Sequence, residues 1–205
     1  MDAVDATERP GRVVVLASGS GSNLQALLDD PRTGPTIVGV LTDRPGAGAL
    51  ARARSARRHA GVVAFGDHPD RAAWAAALGD ALAGLAPDLV VLAGLMRILP
   101  GDLVARWPML NVHPSLLPAF PGAHAVEEAL AWGVKVTGAT VHFVDEKVDH
   151  GPIVAQAAVE IAEGEDAASL HRRIQQREYT LLPDAVAAFL AGRLTIDGRR
   201  VRVQP

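Results

Sequence analysis

Continuous runs of aliphatic residues alternate with helical patterns through the first half of the chain. The runs are short and lack the polar alternation of a strand with one solvent face, which indicates strands buried on both faces. They predict strands at residues 13–17, 36–41, 62–65, 88–93 and 109–113, with helices at 23–30, 49–59 and 70–85. Buried strands separated by helices favour a parallel sheet that helices cover on both faces.

The hydrophobic pattern changes after residue 113. A proline-rich loop leads to a helix, and two β-rich runs, a long helix and a hairpin turn follow. Their predicted ranges are 124–132, 136–144, 153–161, 166–190 and 196–199. Pro183 is expected to bend or divide the long helix, because proline lacks a backbone donor and clashes with the preceding turn.

These elements predict a single domain of the α/β class at residues 12–205. We expect a Rossmann-like, mostly parallel twisted sheet with helices on both faces and a mixed β/α C-terminal part. No internal repeat or long linker interrupts this organisation. Residues 1–11 contain acidic side chains and no apolar run, so they are expected to form a disordered tail.

Composition excludes several classes of function. The formal net charge is −3, so no global basic field favours nucleic acid or an anionic membrane as a partner. The chain contains no cysteine, which excludes disulfides, thiolate metal sites and cysteine nucleophiles. The N-terminus has no signal or transit peptide pattern, and no apolar segment approaches the length of a membrane span. We therefore expect a cytoplasmic protein.

Asn111 and His113 stand two residues apart at the end of a predicted strand. Side chains at i and i+2 point to the same side of a strand, so an amide and an imidazole reach one point. Pro114 and Pro118 then end the strand and stiffen the loop beyond it. A fixed donor beside a group that titrates near neutrality suits acyl transfer, which requires an oxyanion to be held and a proton moved. Asp149 is the natural third member.

Two other interpretations of these residues stay open. An Asn-x-His sequence before a proline is also typical of a strand end whose polar groups cap a loop. A metal site is the second alternative, because several candidate ligands crowd one region of the chain. They are His113, His124, His142, Asp149 and His150. No pair has the helical i, i+4 spacing of a zinc protease, so no metal is predicted.

A loop of small residues, 18–23, follows the first predicted strand and opens the first helix. Glycines let the backbone turn tightly, and a helix N-terminus presents free N–H groups to an anion. Gly21, Ser22 and Asn23 are therefore a candidate phosphate site, in which Ser22 or Asn23 can also cap the helix. The dinucleotide fingerprint requires a further glycine where Leu24 stands, so a phosphomonoester is favoured over NAD. A plain glycine-rich turn is the alternative.

A second motif, residues 92–100, leaves the end of the fourth predicted strand, where parallel sheets bind ligands. Met96, Ile98 and Leu99 are candidates to line an apolar slot for a flat ring. The alternative is that they are core residues entering a short helix. Asp43, just after the second predicted strand, is interpreted as a loop acid because the dinucleotide fingerprint is incomplete.

Together these segments resemble the folate-dependent phosphoribosylglycinamide formyltransferases, also called glycinamide ribonucleotide transformylases. The resemblance extends over nearly the whole chain in the same order, and its most specific segments are 18–25, 94–99, 111–118, 138–144 and 148–152. It implies the formyltransferase fold. It also implies a reaction of purine biosynthesis, in which the co-substrate 10-formyltetrahydrofolate gives its formyl group to the amine of 5-phosphoribosylglycinamide without a metal.

The resemblance further implies roles for individual residues. Asn111, His113 and Asp149 match the catalytic trio, in which Asn111 and a protonated His113 stabilise the oxyanion and Asp149 favours the charged imidazole. The other matches are Gly21, Ser22 and Asn23 for the ribonucleotide phosphate, Glu178 for the ribonucleotide, and Arg71, Met96, Arg97, Ile98, Leu99 and Val148 for the folate. The departures from common family residues are Ala119, Ala123 and His150, and we expect them to affect loop mobility and folate affinity.

Other functions compete with this one. A formyltetrahydrofolate hydrolase shares the Asn-x-His and Asp residues but carries an extra N-terminal domain. Methionyl-tRNA formyltransferase adds a C-terminal RNA-binding domain and a basic surface. The length and negative charge of this chain are expected to exclude both. A phosphate-binding protein without catalysis needs the glycine loop but not the trio. We expect small-molecule substrates, no nucleic acid and no membrane, and the resemblance is compatible with a homodimer.

Overall fold

The protein is built around one mixed β-sheet. The computed structural model of the chain describes residues 11–204, so the predicted tail at 1–11 lies outside the described residues except for Gly11. The strands are β1 (Val13–Leu16), β2 (Ile37–Thr42), β3 (His59–Val62), β4 (Leu89–Leu92), β5 (Met109–His113), β6 (Val136–Phe143), β7 (Ile153–Glu160), β8 (Leu194–Asp197) and β9 (Arg200–Val203). Their order is β3-β2-β1-β4-β5-β6-β7-β9-β8. Strands β1 to β5 are parallel, whereas β6 runs antiparallel to β5 and β7. The predicted mostly parallel sheet is confirmed.

Helices cover both faces of the sheet, as the continuous apolar strands predict. They are α1 (Ser22–Asp29), α2 (Gly48–Ser55), α3 (Arg71–Leu85), α4 (Gly101–Val104), α5 (Ala125–Trp132) and α6 (Ala167–Leu190). Alternate residues of β1 point to opposite faces. Val13 and Val15 belong to the core under α1, α2 and α6. Val14 and Leu16 belong to a second core, which contains Trp74 of α3.

The third predicted strand is wrong in position. The sequence predicted it at 62–65, but β3 begins at His59, and Phe65–Asp67 is a short 3-10 helix. Arg57, with a φ of 56°, turns the chain after α2 and allows pairing with β2 to begin early. Because β3 is an edge strand and its residues are exposed or half-buried, it lacks the continuous apolar pattern of the other parallel strands.

Pro183 does not divide the long helix. It lies inside α6, which continues from Ala167 to Leu190. Pro183 and its neighbours Leu182 and Ala185 are buried. Burial of this apolar face against the sheet stabilises the helix and offsets the backbone hydrogen bond that proline cannot donate.

The strand order places the two candidate ligand-binding motifs, residues 18–23 and 92–100, side by side. The chain passes from β1 to β2 on one side, and β4 later joins β1 on the other, so the loops after β1 and β4 meet at the carboxyl edge. The Ser18 N–H donates a hydrogen bond to the carbonyl oxygen of Gly94 at 3.0 Å. The Met96 N–H donates to Ser18 Oγ at 2.9 Å. The glycine loop therefore supports the segment that follows β4.

Candidate active site

Asn111, His113 and Asp149 are in contact in the structure. Asn111 Nδ2 donates a hydrogen bond to Asp149 Oδ1 at 3.2 Å. His113 Nδ1 lies 3.3 Å from Asp149 Oδ2. His113 Nε2 lies 2.8 Å from the carbonyl oxygen of Phe120. Asn111 and His113 come from the end of β5 and Asp149 from the loop between β6 and β7, so distant segments build this cluster.

The proline-rich loop after β5 supplies two backbone groups to the cluster. The carbonyl oxygen of Phe120 faces His113, and the Gly122 N–H donates to Asp149 Oδ2 at 2.8 Å. The buried Thr140 on β6 holds the start of this loop, because its Oγ1 donates to the carbonyl oxygen of Ser115 at 2.6 Å. The loop is thus tied to the sheet, and its backbone groups are fixed before any ligand arrives.

His142 is a fourth member of the cluster, and the sequence interpretation had considered it only as a metal ligand. It lies opposite Asn111 in the antiparallel pairing of β5 and β6. His142 Nδ1 lies 2.8 Å from the carbonyl oxygen of Phe143, which only accepts, so this nitrogen carries a hydrogen. His142 Nε2 lies 3.1 Å from Asn111 Nδ2 and 3.6 Å from Asp149 Oδ1. His142 therefore orients the Asn111 amide. Its sequence signal was its place in the predicted strand at 136–144 and in the resemblance segment 138–144.

Burial and neighbouring charges shift the pKa values of His113 and Asp149 in opposite directions. Burial lowers the pKa of His113, although the Asp149 carboxylate and the carbonyl oxygen of Phe120 act to raise it. Burial alone would raise the pKa of Asp149, but His142, His113 and the Gly122 N–H outweigh it, and that pKa is lowered. The lowered pKa of Asp149 favours the ionised carboxylate at neutral pH, and the lowered pKa of His113 favours the neutral imidazole.

We expect acidification to destabilise the protein through His113. Its pKa in the folded protein lies below the ordinary 6.5, so the unfolded chain binds more protons in this range. The contribution is complete above pH 6.5 and is lost as the pH falls through the lower pKa of the folded state. Urea unfolding on both sides of this pH measures it. The dependence of the free energy of unfolding on pH should be weaker in His113→Asn than in wild type. It should be unchanged in His124→Asn, whose ring is exposed. Equal slopes in wild type and His113→Asn would contradict this assignment.

A cavity of about 390 Å³ opens beside the trio. Its lining includes Asn111, His113, His142 and Asp149 together with the predicted folate residues Met96, Arg97, Ile98, Leu99 and Val148. Met96 and Ile98 are exposed and only Leu99 is buried, so the first two are not core residues. The segment is not helical before α4 begins at Gly101. The structure therefore favours the apolar slot over the alternative of core residues in a short helix.

Arg71 and Asp43 both contact the segment at residues 92–100. Arg71 is not among the cavity-lining residues, but its Nη2 donates a hydrogen bond to the carbonyl oxygen of Ile98. Arg97 Nε lies 2.8 Å from Asp43 Oδ2, and the Arg97 guanidinium stacks over Phe65, 4.2 Å from its centroid. Burial acts to raise the pKa of Asp43, but Ser18 and Arg97 lower it, so Asp43 is an ionised partner of Arg97.

Gly21, Asn23 and Glu178 form a second cluster outside this cavity. Gly21 has a φ of 76°, and a Cβ there would lie 2.8 Å from the Ala49 backbone, so the position requires glycine. Asn23 Nδ2 donates to Glu178 Oε2 at 2.8 Å, and both residues are buried. Burial raises the pKa of the Glu178 carboxyl, although Asn23 acts to lower it. The expectation that Ser22 or Asn23 caps α1 is wrong, because Gly21 is the N-cap without a side-chain bond.

The candidate metal ligands do not form a metal site. Among residues 11–204, no group of three or more His, Asp or Glu side chains is arranged to hold an ion. His124 is exposed at the start of α5. His150 Nδ1 pairs with Asp145 Oδ2 at 2.7 Å.

Among residues 11–204, no helix combines the length and apolar character needed to cross a membrane.

The fold and the site together define an α/β enzyme that has the groups for acyl transfer at the carboxyl edge of its sheet. Residues 11–186 match the family described as formyl transferase. The chain belongs to this family and, within it, to the phosphoribosylglycinamide formyltransferases. The predicted class of enzyme and the formyltransferase fold are thereby confirmed.

Relatives of known identity match nearly the whole chain. A phosphoribosylglycinamide formyltransferase of Mycobacterium tuberculosis (strain CDC 1551 / Oshkosh) is 48% identical over 199 residues, which cover 93% of this chain and 90% of the relative. That of Escherichia coli (strain K12) is 37% identical over 204 residues, with 94% and 96% covered. The crystal structure of glycinamide ribonucleotide transformylase 1 from Symbiobacterium toebii superposes with a TM-score of 0.93 at 45% identity, covering 100% and 99% of the two chains.

Proposed function

We propose that this chain transfers the formyl group of 10-formyltetrahydrofolate to the amine of 5-phosphoribosylglycinamide in purine biosynthesis. The observation that supports this most directly is the contact of Asn111, His113 and Asp149, which all line the cavity of about 390 Å³. The apolar segment after β4 lines the same cavity and suits a flat ring. The site therefore offers groups for acyl transfer beside a surface for the carrier of the acyl group.

The neutral amine forms a bond to the formyl carbon, and negative charge grows on the formyl oxygen. Asn111 Nδ2 contacts both His142 Nε2 and Asp149 Oδ1. We propose that the formyl oxygen replaces the Asp149 contact, which at 3.2 Å is the longer of the two. The new hydrogen bond from Asn111 to the formyl oxygen then shortens in the reacting complex. His142 keeps the amide in place during this exchange.

In this proposal His113 accepts the transferred proton, and Asp149 stabilises the charged imidazole that results. The attacking amine becomes positively charged and loses a proton, which neutral His113 accepts beside the Asp149 carboxylate. The resulting imidazolium stabilises the oxyanion. When the tetrahedral intermediate collapses, the bond to the folate nitrogen breaks and the proton passes to that nitrogen. The lowered pKa of His113 suits a group that accepts this proton and then releases it.

The ribonucleotide is proposed to bind at the second cluster. Its phosphate would lie at Gly21, Ser22 and Asn23, where the free N–H groups of α1 begin. Asn23 Nδ2 donates to Glu178 Oε2 at 2.8 Å and so holds the Glu178 carboxyl beside this loop. Glu178 is proposed to contact the same ligand.

The folate is proposed to contact Met96, Arg97, Ile98, Leu99 and Val148, with Arg71 supporting the segment through Ile98. It acts as a co-substrate and leaves as tetrahydrofolate, and the chemistry proposed here needs no metal. We further propose that residues 12–205 act as one domain, that the protein forms a homodimer, and that it is located in the cytoplasm.

The test is formyl transfer from 10-formyltetrahydrofolate by the purified protein, with and without 5-phosphoribosylglycinamide. We expect turnover only with the ribonucleotide. Loss of formyl in its absence would support the alternative, a formyltetrahydrofolate hydrolase, which the 48% identity to a formyltransferase does not favour. Ribonucleotide binding without turnover would leave only a phosphate-binding protein.

A further inference from the structure

The loop that carries Asp149 is joined to the C-terminal hairpin by a chain of contacts. His150 Nδ1 lies 2.7 Å from Asp145 Oδ2 at the other end of the same loop. Arg199, in the turn between β8 and β9, reaches His150 twice. Its Nη1 lies 3.2 Å from His150 Nε2, and its Nη2 donates to the His150 carbonyl oxygen at 2.8 Å. Arg199 thus holds both the side chain and the backbone of the residue next to Asp149.

The partners of the His150 ring indicate which of its two nitrogens carries the hydrogen. The Asp145 carboxylate accepts, so His150 Nδ1 carries the hydrogen, and a guanidinium only donates, so Nε2 accepts from Arg199. The ring therefore bridges the Asp145 carboxylate and the Arg199 guanidinium. Asp145 also accepts from the Lys147 N–H at 3.0 Å, which closes the turn of the loop.

The loop needs such support, because its conformation is unusual. Asp149 has a φ of 49°, in the left-handed region that non-glycine residues rarely adopt. The backbone of Gly151 packs so closely on β6 that a Cβ would lie 1.8 Å from the carbonyl oxygen of Phe143. These features fix the backbone on one side of Asp149, and Gly122 holds its carboxylate. Contacts with Arg199 fix the remaining, exposed side of the loop.

We propose that Arg199 and His150 are positioning residues, through which the C-terminal hairpin sets the placement of Asp149. The hairpin is itself fixed, because Arg200 on β9 pairs with Ile153 at the start of β7, just beyond the loop. The inference rests on the proposed function of Asp149.

Hydrogen exchange tests the anchor without relying on activity. In Arg199→Ala, the amides of residues 145–151 should exchange about tenfold faster than in wild type, the scale of one or two lost hydrogen bonds. Arg202→Ala is the matched control, because Arg202 lies on the same hairpin and its side chain, within residues 11–204, pairs only with Asp197 at 3.7 Å. Equal exchange of the loop in the two variants would overturn the anchor.

Kinetics tests the positioning. If Arg199 places Asp149, Arg199→Ala lowers kcat about tenfold while the KM for the ribonucleotide and the melting temperature stay near wild type. Arg199→Lys should recover part of the loss, and adding His150→Ala to Arg199→Ala should cost less than the product of the single effects. Faster loop exchange with an unchanged kcat would overturn the proposal. Failure of the proposed function is distinguishable, since wild type itself would then not transfer formyl.

Discussion

Substituting His113 with alanine is expected to lower the rate of formyl transfer by about three orders of magnitude, the scale of a lost acid–base group. The ring is buried, with an exposed fraction of 4%, and both nitrogens face oxygen atoms of the site. His142 cannot replace it, because its nitrogens are engaged with Phe143 and Asn111. The proton of the attacking amine then has no imidazole to accept it.

Binding of the ribonucleotide should survive His113→Ala. The proposed phosphate site at Gly21 and Asn23 does not line the cavity that contains His113. Calorimetric titration with 5-phosphoribosylglycinamide measures this binding, and steady-state assays measure transfer. His124→Ala is the control, because this ring is exposed and does not line the cavity. Normal turnover in His113→Ala would remove the catalytic assignment, and loss of binding as well would indicate general damage to the fold.

Asp149→Asn should reduce kcat by about two to three orders of magnitude, as expected when a preorganised charge is removed from a catalytic site. The amide has the shape of the carboxylate but not its charge. It also carries a donor where the carboxylate only accepts. Asp149 accepts from both the Gly122 N–H and Asn111 Nδ2, so one of these donors would face the new NH₂ group. The variant therefore loses the charge beside His113 and disturbs Asn111 at once.

Kinetic comparison with Asp80→Asn separates this effect from a change in net charge, since Asp80 is exposed on α3 and outside the cavity. The KM for the ribonucleotide should change little in Asp149→Asn, because the proposed ribonucleotide site does not include it. A kcat within a few-fold of wild type would show that the carboxylate is not required for proton transfer.

Several parts of the fold and site follow from the chain alone. The apolar runs predicted β1, β2, β4 and β5 to within a residue or two, because a strand buried on both faces has to be apolar throughout. The spacing of Asn111 and His113 predicted that they share one side of a strand. The glycine loop predicted a turn that only glycine permits at Gly21. These features depend on residues that are close in sequence.

The cluster proposed to be catalytic was decided by tertiary structure. His142 meets Asn111 only because β6 pairs antiparallel with β5 in one register. Asn23 meets Glu178 across 155 residues of sequence, because α6 packs against α1 on the same face of the sheet. Asp149 was identified from its motif, but its left-handed backbone and its contacts with His113 and Gly122 depend on two loops meeting. Local patterns determine which segments form strands and turns, whereas strand order and register determine which side chains meet and which charges they carry.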